Sequence, residues 1–434
     1  MVKTSTSTHN DIEARQLDDL RTLLAELIPA NPFYARKLQS GGVTFDVASL
    51  QDFSARFPYT TKQELVEDQR RNPPFGTNLT YPLNRYTRFH QTSGTSGAPL
   101  RWLDTPESWE GMVDCWLEVF RAAGVNAGDR VFFAFSFGPF IGFWLAFESA
   151  ARIGCLCIPA GGLSSAARLR AIMENGATVI CCTPTYAIRL GEAATEEKID
   201  LSASRVKKIL VAGEPGGSIL ATRARIESLW AGAKVFDHHG MTEVGPVTYE
   251  CPARPRVLHV IESAYFAEII DPANGKPAMP GQTGELVLTT LGRTGSPLLR
   301  YRTGDLVKCG ARNGERGTAC VCGRHELALE GGILGRTDDM VIVRGVNVYP
   351  SAVEEIVRGF EDVSEYRVHI TEADALTQMR VEIESTLQCA DPPTLAARVE
   401  KAFETTLLLR VPVSTVSPGA LPRFEMKSKR WIKA

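Results

Sequence analysis

The segment 131–236 holds four short apolar runs: VFFAF at Val131–Phe135, TVICC at Thr178–Cys182, KILVA at Lys208–Ala212 and KVF at Lys234–Phe236. Segments with helical spacing lie between them, such as Ala167–Glu174 and Ile219–Trp230. Strands that alternate with helices predict right-handed crossover units and a parallel sheet covered on both faces. The sequence therefore predicts an α/β fold with parallel sheets flanked by helices.

The regions on either side of this segment predict helices before it and a β-subdomain after it. Leucines recur at helical spacing from Leu17 to Leu27. A further helix begins at Thr105-Pro106, where a cap residue precedes a proline, and its apolar stripe runs from Trp109 to Phe120. Short strands with frequent Gly and Pro turns from about Glu262 to Cys322 indicate the β-subdomain.

The composition changes near Gly335, and the last hundred residues have a pattern of their own. They predict a strand at Met340–Arg344, a helix at Ser351–Phe360, strands at Tyr366–Ile370 and Met379–Glu384, a helix at Thr394–Leu407 and a basic tail. We therefore predict a large N-terminal domain, residues 1–336, and a small α+β C-terminal domain, residues 337–434.

The composition excludes several classes of protein. The chain has 434 residues, 44% of them hydrophobic and 23% charged, with a formal net charge of −2. These fractions exclude a largely disordered chain, and the near-neutral charge excludes a broad basic surface for nucleic acid. The polar N-terminus lacks a signal peptide core, and Ser, Gly, Pro and Glu interrupt the most apolar stretch. We expect a cytoplasmic protein with no nucleic-acid or membrane partner.

A run of small and hydroxyl residues forms the first candidate site: Thr92-Ser93-Gly94-Thr95-Ser96-Gly97-Ala98-Pro99. Glycines let the backbone approach a ligand closely, and successive N–H and hydroxyl groups can wrap phosphate oxygens. The chain contains no Gly-Lys-Ser/Thr sequence, so this is not a Walker loop. A polar surface turn is the alternative interpretation.

Further motifs follow in order along the chain. They are His238-His239-Gly240-Met241-Thr242-Glu243, Tyr301-Arg302-Thr303-Gly304-Asp305-Leu306, the pair Gly335–Asp339 and Arg344–Pro350, and the basic tail Arg423–Arg430. A carboxylate such as Glu243 suits Mg²⁺, and one at a strand end such as Asp305 can accept hydrogen bonds from ribose hydroxyls. Taken singly, each motif is also compatible with a polar turn that carries solvated charges.

Together, the order and spacing of these motifs resemble the adenylate-forming enzymes, most closely the phenylacetate–CoA ligase-like branch. The resemblance runs from Asn31-Pro32-Phe33-Tyr34 to Lys427, which is nearly the whole chain. It implies that a carboxylate attacks the α-phosphate of ATP, giving an acyl-adenylate and pyrophosphate. A thiol, usually that of coenzyme A, then displaces AMP. It also implies an adenylation domain at 1–336 and a mobile lid domain at 337–434.

The resemblance implies roles for individual residues of the ATP site. The loop Ser93–Gly97 would hold the β- and γ-phosphates, and Glu243 would bind Mg²⁺. Asp305 would accept the ribose hydroxyls, and Arg336 would support ribose or phosphate. The other residues that would contact ATP or AMP are Gly213, Glu214, Pro215, His239, Gly240, Met241 and Thr242.

The same resemblance assigns the chemistry to Lys427, which would bridge the substrate carboxylate and the α-phosphate. A point-charge ammonium suits the charge that develops there in the transition state. Asp338 would be the hinge for lid rotation between the half-reactions, and Gly345 would then line the coenzyme A tunnel. The neighbours Lys429 and Arg430 are expected to be solvated or to steer phosphate.

Two residues depart from the family pattern. His239 stands where the family usually has tyrosine, and an imidazole can still stack on adenine. Met426 stands where a glycine usually precedes the catalytic lysine, which affects how Lys427 is positioned.

The ten cysteines divide into two sets. Spacing alone favours reduced, partly buried thiols, because Cys-x-Cys is not the usual Cys-x₂-Cys. The phenylacetate–CoA ligase-like branch has a similar Cys…His…Cys-x-Cys arrangement, which implies a structural zinc on Cys251, His259, Cys320 and Cys322. Cys309 is a competing ligand. The other six are expected to pack in the interior: Cys115, Cys155, Cys157, Cys181, Cys182 and Cys389.

An aromatic-rich loop matches the region that lines the acyl pocket in the family: Phe137, Phe140, Ile141 and Gly142. Aromatic walls favour a flat aryl acid such as a benzoate or an arylacetate. Three functions stay open at this point: an aryl-acid–CoA ligase, an adenylating enzyme that serves a carrier-protein thiol or another acceptor, and an inactive nucleotide-binding homologue. The oligomeric state is open as well, with a homodimer among the options.

Overall fold

A computed structural model describes residues 8–92, 99–279, 281–310, 319–373, 376–425 and 427–433. The chain divides into two compact units. The first unit comprises residues 1–131, 136–158 and 237–333, and the second comprises 132–135, 159–236 and 334–434.

Helices occur in both units. In the described part of the first unit they are α1 (His9–Ala30), α2 (Pro32–Ser40), α3 (Leu50–Arg56), α4 (Lys62–Arg71), α5 (Pro106–Ala122) and α6 (Trp144–Ile153). In the second they are α7 (Ser165–Glu174), α8 (Pro184–Glu196), α9 (Leu220–Leu229), α10 (Pro350–Arg358) and α11 (Pro392–Leu407). Short 3₁₀ turns lie at Leu83–Arg85 and Leu201–Ala203. Among the helices described, none has the length and apolar character that a membrane span requires.

Helix α5 confirms the predicted start and core face. The Thr105 side chain accepts a hydrogen bond from the Ser108 amide, and Pro106 occupies the first turn, where a missing N–H costs nothing. Its apolar stripe is buried, including Trp109 and Trp116.

The first unit contains a β-hairpin and a larger antiparallel sheet. The hairpin pairs β1 (Arg88–Gln91) with β2 (Arg101–Asp104). The sheet has the order β10-β11-β15-β14-β13-β12. Its strands are β10 (Thr248–Glu250), β11 (Val257–Val260), β12 (Tyr265–Ile270), β13 (Thr283–Thr290), β14 (Tyr301–Cys309) and β15 (Ala328–Arg336). The predicted β-subdomain is therefore confirmed, and it begins earlier than Glu262.

The four apolar runs form strands of one five-stranded sheet with the order β4-β3-β5-β6-β7. The strands are β3 (Arg130–Phe133), β4 (Leu156–Pro159), β5 (Val179–Cys182), β6 (Lys208–Val211) and β7 (Lys234–Asp237). β5 and β6 pair in parallel, and every residue of β5 is buried. The α/β prediction is confirmed.

The C-terminal residues form an α+β arrangement around a core of valine, leucine and isoleucine side chains. A four-stranded sheet has the order β20-β19-β18-β21. Its strands are β18 (Val363–Ala373), β19 (Leu376–Ser385), β20 (Val413–Val416) and β21 (Trp431–Lys433), and a separate hairpin pairs β16 (Val341–Val343) with β17 (Val346–Val348).

The sequence analysis predicted only a basic tail after the last helix, and the structure adds two short strands there. β20 pairs in parallel with β19, and β21 pairs in parallel with β18. Both are short strands whose partners are distant in sequence, so local periodicity gives no signal for them.

Candidate functional site

The loop after β7 is closed by a two-residue strand pair, β8 (Gly240–Met241) with β9 (Gly245–Pro246). The turn is tight, since a Cβ on Gly240 would lie 2.7 Å from the carbonyl oxygen of Gly245. Only glycine fits such an approach. The closed loop buries Thr242 and Glu243, while Met241 stays half-buried.

This loop brings His239 against Asp305, which lies in the middle of β14 and not at a strand end as the sequence analysis expected. His239 Nε2 is 3.1 Å from Asp305 Oδ2, and the two side chains are 15% and 4% exposed. The His239 amide donates to Thr248 Oγ1 at 3.0 Å, and the Asp305 amide donates to Thr303 Oγ1 at 3.0 Å. An acceptor carboxylate beside a flat imidazole can serve ribose hydroxyls and a base together.

Glu243 is held by a neighbouring phenol. Tyr301 Oη donates to Glu243 Oε1 at 2.9 Å, and both residues are buried. A carboxylate has lone pairs beyond those used in this bond, so Glu243 fits a hard divalent cation such as Mg²⁺.

A buried arginine, which the sequence analysis missed, supports the same loop. Arg293 Nη1 donates to the Thr242 carbonyl at 2.9 Å. Its Nε and Nη2 donate to the two oxygens of Asp104 at 2.6 and 2.7 Å, and the two side chains are 3% and 0% exposed. Neither residue belongs to a recognisable motif, and their separation along the chain leaves no local signal.

The predicted phosphate loop, Ser93–Gly97, lies outside the described residues. Its flanks are anchored, because Thr92 and Leu100 exchange backbone and side-chain hydrogen bonds at 2.9 and 3.0 Å. Just before it, the buried His90 ring stacks on Trp109 with ring centroids 5.2 Å apart and planes at 4°.

The aromatic loop that was predicted to line an acyl pocket, residues 137–142, lies in the first unit. The Phe137 and Trp144 rings pack edge to face, with their centroids 4.6 Å apart. Trp144 Nε1 donates to the Gly138 carbonyl at 3.1 Å. Phe137 and Phe140 are half-buried, Ile141 is buried and Gly142 is exposed.

In the second unit, the predicted hinge and tunnel residues lie on either side of β16. Arg336 Nε donates to Asp338 Oδ1 at 2.8 Å in an exposed pair. The β16–β17 turn contains Arg344 at φ 49° and Gly345 at φ 83°, the backbone geometry of a type I′ hairpin.

Lys427 lies beside the loop 213–215 of the same unit. A Cβ on Gly213 would be 3.6 Å from Lys427 Cε. The next residue, Ser428, donates its amide to Glu214 Oε2 at 2.8 Å. The structure thus brings together two groups that the sequence analysis placed in one site.

Arg430 is buried, so the expectation of a solvated or phosphate-steering side chain is wrong. Its Nε and Nη2 donate to the Glu365 carboxylate at 2.7 and 3.1 Å, and Nη1 lies 3.5 Å from Glu354 Oε2. Lys429 is exposed. The acidic partners lie on α10 and β18, so the tail sequence alone does not reveal them.

A thiol–imidazole cluster lies in the first unit, formed by Cys251, His259, Cys320 and Cys322. Their ligand atoms all lie within 4.8 Å of one another. Cys251 Sγ is 3.7 Å from Cys320 Sγ, and Cys322 Sγ is 3.5 Å from His259 Nε2.

The Cys251–Cys320 and Cys322–His259 distances match two edges of a tetrahedral zinc site. Bonds of about 2.3 Å to sulfur and about 2.05 Å to nitrogen give S···S edges of about 3.8 Å and S···N edges of about 3.6 Å. His259 Nδ1 lies 3.2 Å from the Glu326 carbonyl, so the tautomer that donates there leaves Nε2 to face the thiols.

The remaining cysteines do not join this group. Among the described residues, the four-membered set does not include Cys309, which is buried. Cys115, Cys155, Cys181 and Cys182 are buried, Cys157 is half-buried, and Cys389 packs on the C-terminal core.

Known proteins match this chain in sequence and in fold. A profile described as AMP-binding enzyme matches residues 92–292, and one described as AMP-binding enzyme C-terminal domain matches residues 345–434. A phenylacetate-coenzyme A ligase of Escherichia coli K12 is 31% identical over 435 residues, covering 98% of this chain and 95% of the relative. The chain therefore belongs to the AMP-binding, adenylate-forming enzyme family, in its phenylacetate–CoA ligase-like branch.

Solved structures of a CoA ligase also match the fold of this chain. A 2-hydroxyisobutyryl-CoA ligase in the postadenylation state with R3-HIB-AMP is 28% identical, with a TM-score of 0.91 over 99% of this chain and 91% of that one. The same ligase in the thioesterification state, with 2-HIB-AMP and CoA, has a TM-score of 0.73 at 29% identity over the same shares of the two chains.

The loop that follows β7 contains His238, and this buried histidine is expected to make the stability of the protein depend on pH. His238 is buried against Trp116, and its Nδ1 lies 2.6 Å from the Thr248 carbonyl. Burial lowers the pKa of His238 to about 3. Because the folded pKa lies below the unfolded value of about 6.5, the unfolded chain binds the proton first. The contribution of the neutral His238 ring to the free energy of unfolding is therefore fully present above about pH 6.5. It is lost as the pH drops toward 3.

We expect His238→Asn to be less stable at pH 7 and to lose stability less steeply between pH 6.5 and 4.5. Each titrating group contributes at most about 1.4 kcal/mol per pH unit. Urea unfolding across this range measures the slope, with His9→Asn, near the start of α1, as the control. Equal slopes for wild type and His238→Asn would contradict the prediction.

Proposed function

We propose that this chain is an ATP-dependent acid–CoA ligase. A carboxylate oxygen of the acid attacks the α-phosphorus of ATP, and the P–O bond to pyrophosphate breaks. The thiol sulfur of coenzyme A then attacks the acyl carbon, its proton is released, and the bond to AMP breaks. The protein acts mainly by holding these groups in line and by neutralising phosphate charge.

The observation that carries the proposal is the position of Lys427. Its stem runs beside Gly213 in the second unit, and the adjacent Ser428 is bonded to Glu214. An ammonium held at a nucleotide loop can offset charge on both the acid and the α-phosphate. The full-length likeness to coenzyme A ligases supports the same reaction.

Within this proposal, the first unit supplies the nucleotide contacts. Asp305 accepts hydrogen bonds from the ribose hydroxyls. His239 stacks on the base together with the 240–242 loop. Glu243 would hold Mg²⁺, which would neutralise phosphate charge when bound. The loop Ser93–Gly97 binds the β- and γ-phosphates. Arg336, which belongs to the second unit, supports ribose or phosphate.

We assign an aryl acid as the substrate, because half-buried aromatic rings line the 137–142 loop. The relatives span two classes of acid: one is named a phenylacetate ligase and another a 2-hydroxyisobutyryl ligase. A flat ring would pack on Phe137 and Phe140, whereas a small branched acid would leave these rings in contact with water.

The proposed domains are an adenylation domain at 1–336 and a lid at 337–434, with Asp338 as the hinge and Gly345 at the coenzyme A tunnel. We keep a cytoplasmic location and a structural zinc as parts of the proposal. A carrier protein is the alternative acceptor to free coenzyme A, and the oligomeric state stays open, with a homodimer among the options.

The reaction is tested by ATP–pyrophosphate exchange over benzoates, arylacetates and short 2-hydroxy acids, each with and without coenzyme A. We expect exchange with at least one aryl acid and a coenzyme A-dependent thioester. Exchange without any thioester would favour a carrier protein or another acceptor. No exchange with any acid would favour an inactive nucleotide-binding homologue.

We predict that Lys427→Ala separates the two half-reactions. Exchange should fall by at least about 100-fold, because the variant loses the charge opposite the α-phosphate. Thioester formation from a supplied acyl-adenylate and coenzyme A should change by no more than about threefold. The control Lys429→Ala removes a neighbouring exposed cation and should retain exchange. Equal loss of both half-reactions in Lys427→Ala would contradict lid rotation.

We predict about one zinc per chain in protein purified without chelators, from the four-ligand geometry. Cys320→Ala should lose the metal and lower the Tm, since a structural zinc contributes directly to folding. Cys309→Ala is the matched control, because it removes a buried thiol outside the four-membered group. Metal-free wild type would restore the interpretation as free thiols, and metal loss in Cys309→Ala would make Cys309 a ligand.

A further inference from the structure

Glu214 joins the start of α8 to the residue that follows Lys427. Its Oε1 accepts from the Thr185 amide at 3.0 Å. Its Oε2 accepts from the Ser428 amide at 2.8 Å and from Ser428 Oγ at 3.2 Å. One carboxylate therefore bonds to two different parts of the chain, one on each oxygen.

Both amides are suitable partners for a carboxylate. Thr185 lies in the first turn of α8, where backbone N–H groups lack helical acceptors and the helix dipole favours negative charge. Ser428 lies between α11 and β21, outside any strand. Hydrogen bonds to an ionised acceptor are shorter and stronger than neutral ones, so Glu214 restrains the Ser428 backbone effectively.

Two further bonds hold the tail on either side of Ser428. Ser165 Oγ donates to Glu425 Oε1 at 3.1 Å, and Arg430 Nη1 lies 3.4 Å from Thr185 Oγ1. Thr185 thus meets the tail through its side chain and meets Glu214 through its amide. The segment that carries Lys427 is restrained before it and after it.

We propose that Glu214 is a positioning residue for Lys427 in the adenylation step, which deepens the function proposed above and rests on it. The sequence analysis expected Glu214 to contact the nucleotide. In the structure its two oxygens accept three hydrogen bonds from Thr185 and Ser428. Glu214 acts through the Ser428 backbone, which sets where the flexible lysine stem begins.

Glu214→Gln is the sharpest substitution. Glutamine keeps the shape of the side chain but has one acceptor oxygen, and its NH₂ group would face a backbone N–H. One of the two connections must therefore break. Lys427 would keep its charge and lose its restraint, which lowers kcat for adenylation and leaves the KM for ATP nearly unchanged.

The experiment compares both half-reactions in wild type and Glu214→Gln. We expect the kcat of ATP–pyrophosphate exchange to fall by about 10- to 100-fold, as for a lost hydrogen bond to a charged group. The KM for ATP and the rate of thioester formation from supplied acyl-adenylate should stay within about threefold. Ser428→Ala, which removes only the 3.2 Å hydroxyl bond, should have a smaller effect on exchange.

Two controls exclude a general loss of structure. Glu355→Gln weakens a different contact of the lid, where Glu355 Oε2 accepts from the Ala221 amide at 3.2 Å. Glu197→Gln makes the same chemical change at an exposed position. We expect both to affect exchange far less than Glu214→Gln. A raised KM for ATP with equal losses in both half-reactions would overturn the proposal and make Glu214 a nucleotide ligand.

A separate measurement distinguishes this proposal from failure of the proposed function. Hydrogen–deuterium exchange on the full chain reports the tail peptide around Ser428 without any turnover. Glu214→Gln should speed deuterium uptake there, and Glu197→Gln should not. If wild type activates no acid but uptake rises, the restraint stands and the reaction fails. If uptake is unchanged, the restraint itself is disproved.

Discussion

The position of Lys427, the proposed catalytic lysine, depends on a buried group of opposite charges in the second unit. Arg430 and Arg358 share the Glu365 carboxylate, and Arg358 also meets Glu354 at 3.2 Å. All four side chains are at most 13% exposed. Removing one partner of such a pair leaves a buried, unpaired charge, which typically costs about 3–5 kcal/mol. β21 can therefore leave β18 only at high cost, and Lys427 stays close to that anchored strand.

Local patterns in the sequence were sufficient for much of the fold. The four apolar runs were predictable as strands of one sheet because segments with helical spacing separate them along the chain. Helix α5 was predictable from its cap and its first-turn proline, which act through neighbouring atoms. The order of the motifs was sufficient for the family, because it combines several weak signals. The tail strands escaped prediction, since their pairing with β18 and β19 links distant segments.

In the candidate site as well, some residues were visible in local sequence patterns and others depend on contacts between distant segments. Asp305 and Glu243 stand in motifs, so the sequence names them as candidates. Of the groups that support them, Tyr301 stands in the same motif as Asp305 and donates to Glu243, whereas Arg293, which donates to the Thr242 carbonyl, stands in no motif. Arg430 was misread for a related reason, because a basic tail carries no sign of the acids that will surround it. Contacts between distant segments decide which residues support the site, and a single sequence does not indicate those contacts.

The chain is nearly neutral overall, so its positive charge must be used at specific points rather than as a broad field. A lysine ammonium is compact, but its four-carbon stem is flexible, and an unrestrained stem would spread the charge over several ångströms. Restraining the backbone beside Lys427 through Glu214 narrows that spread without any contact to the ammonium itself. Such a restraint is also reversible, because the hydrogen bonds to Ser428 can be exchanged for water. A covalent or fully buried anchor at this residue would hold the lysine equally well, but it would oppose the lid rotation that we propose for the second half-reaction.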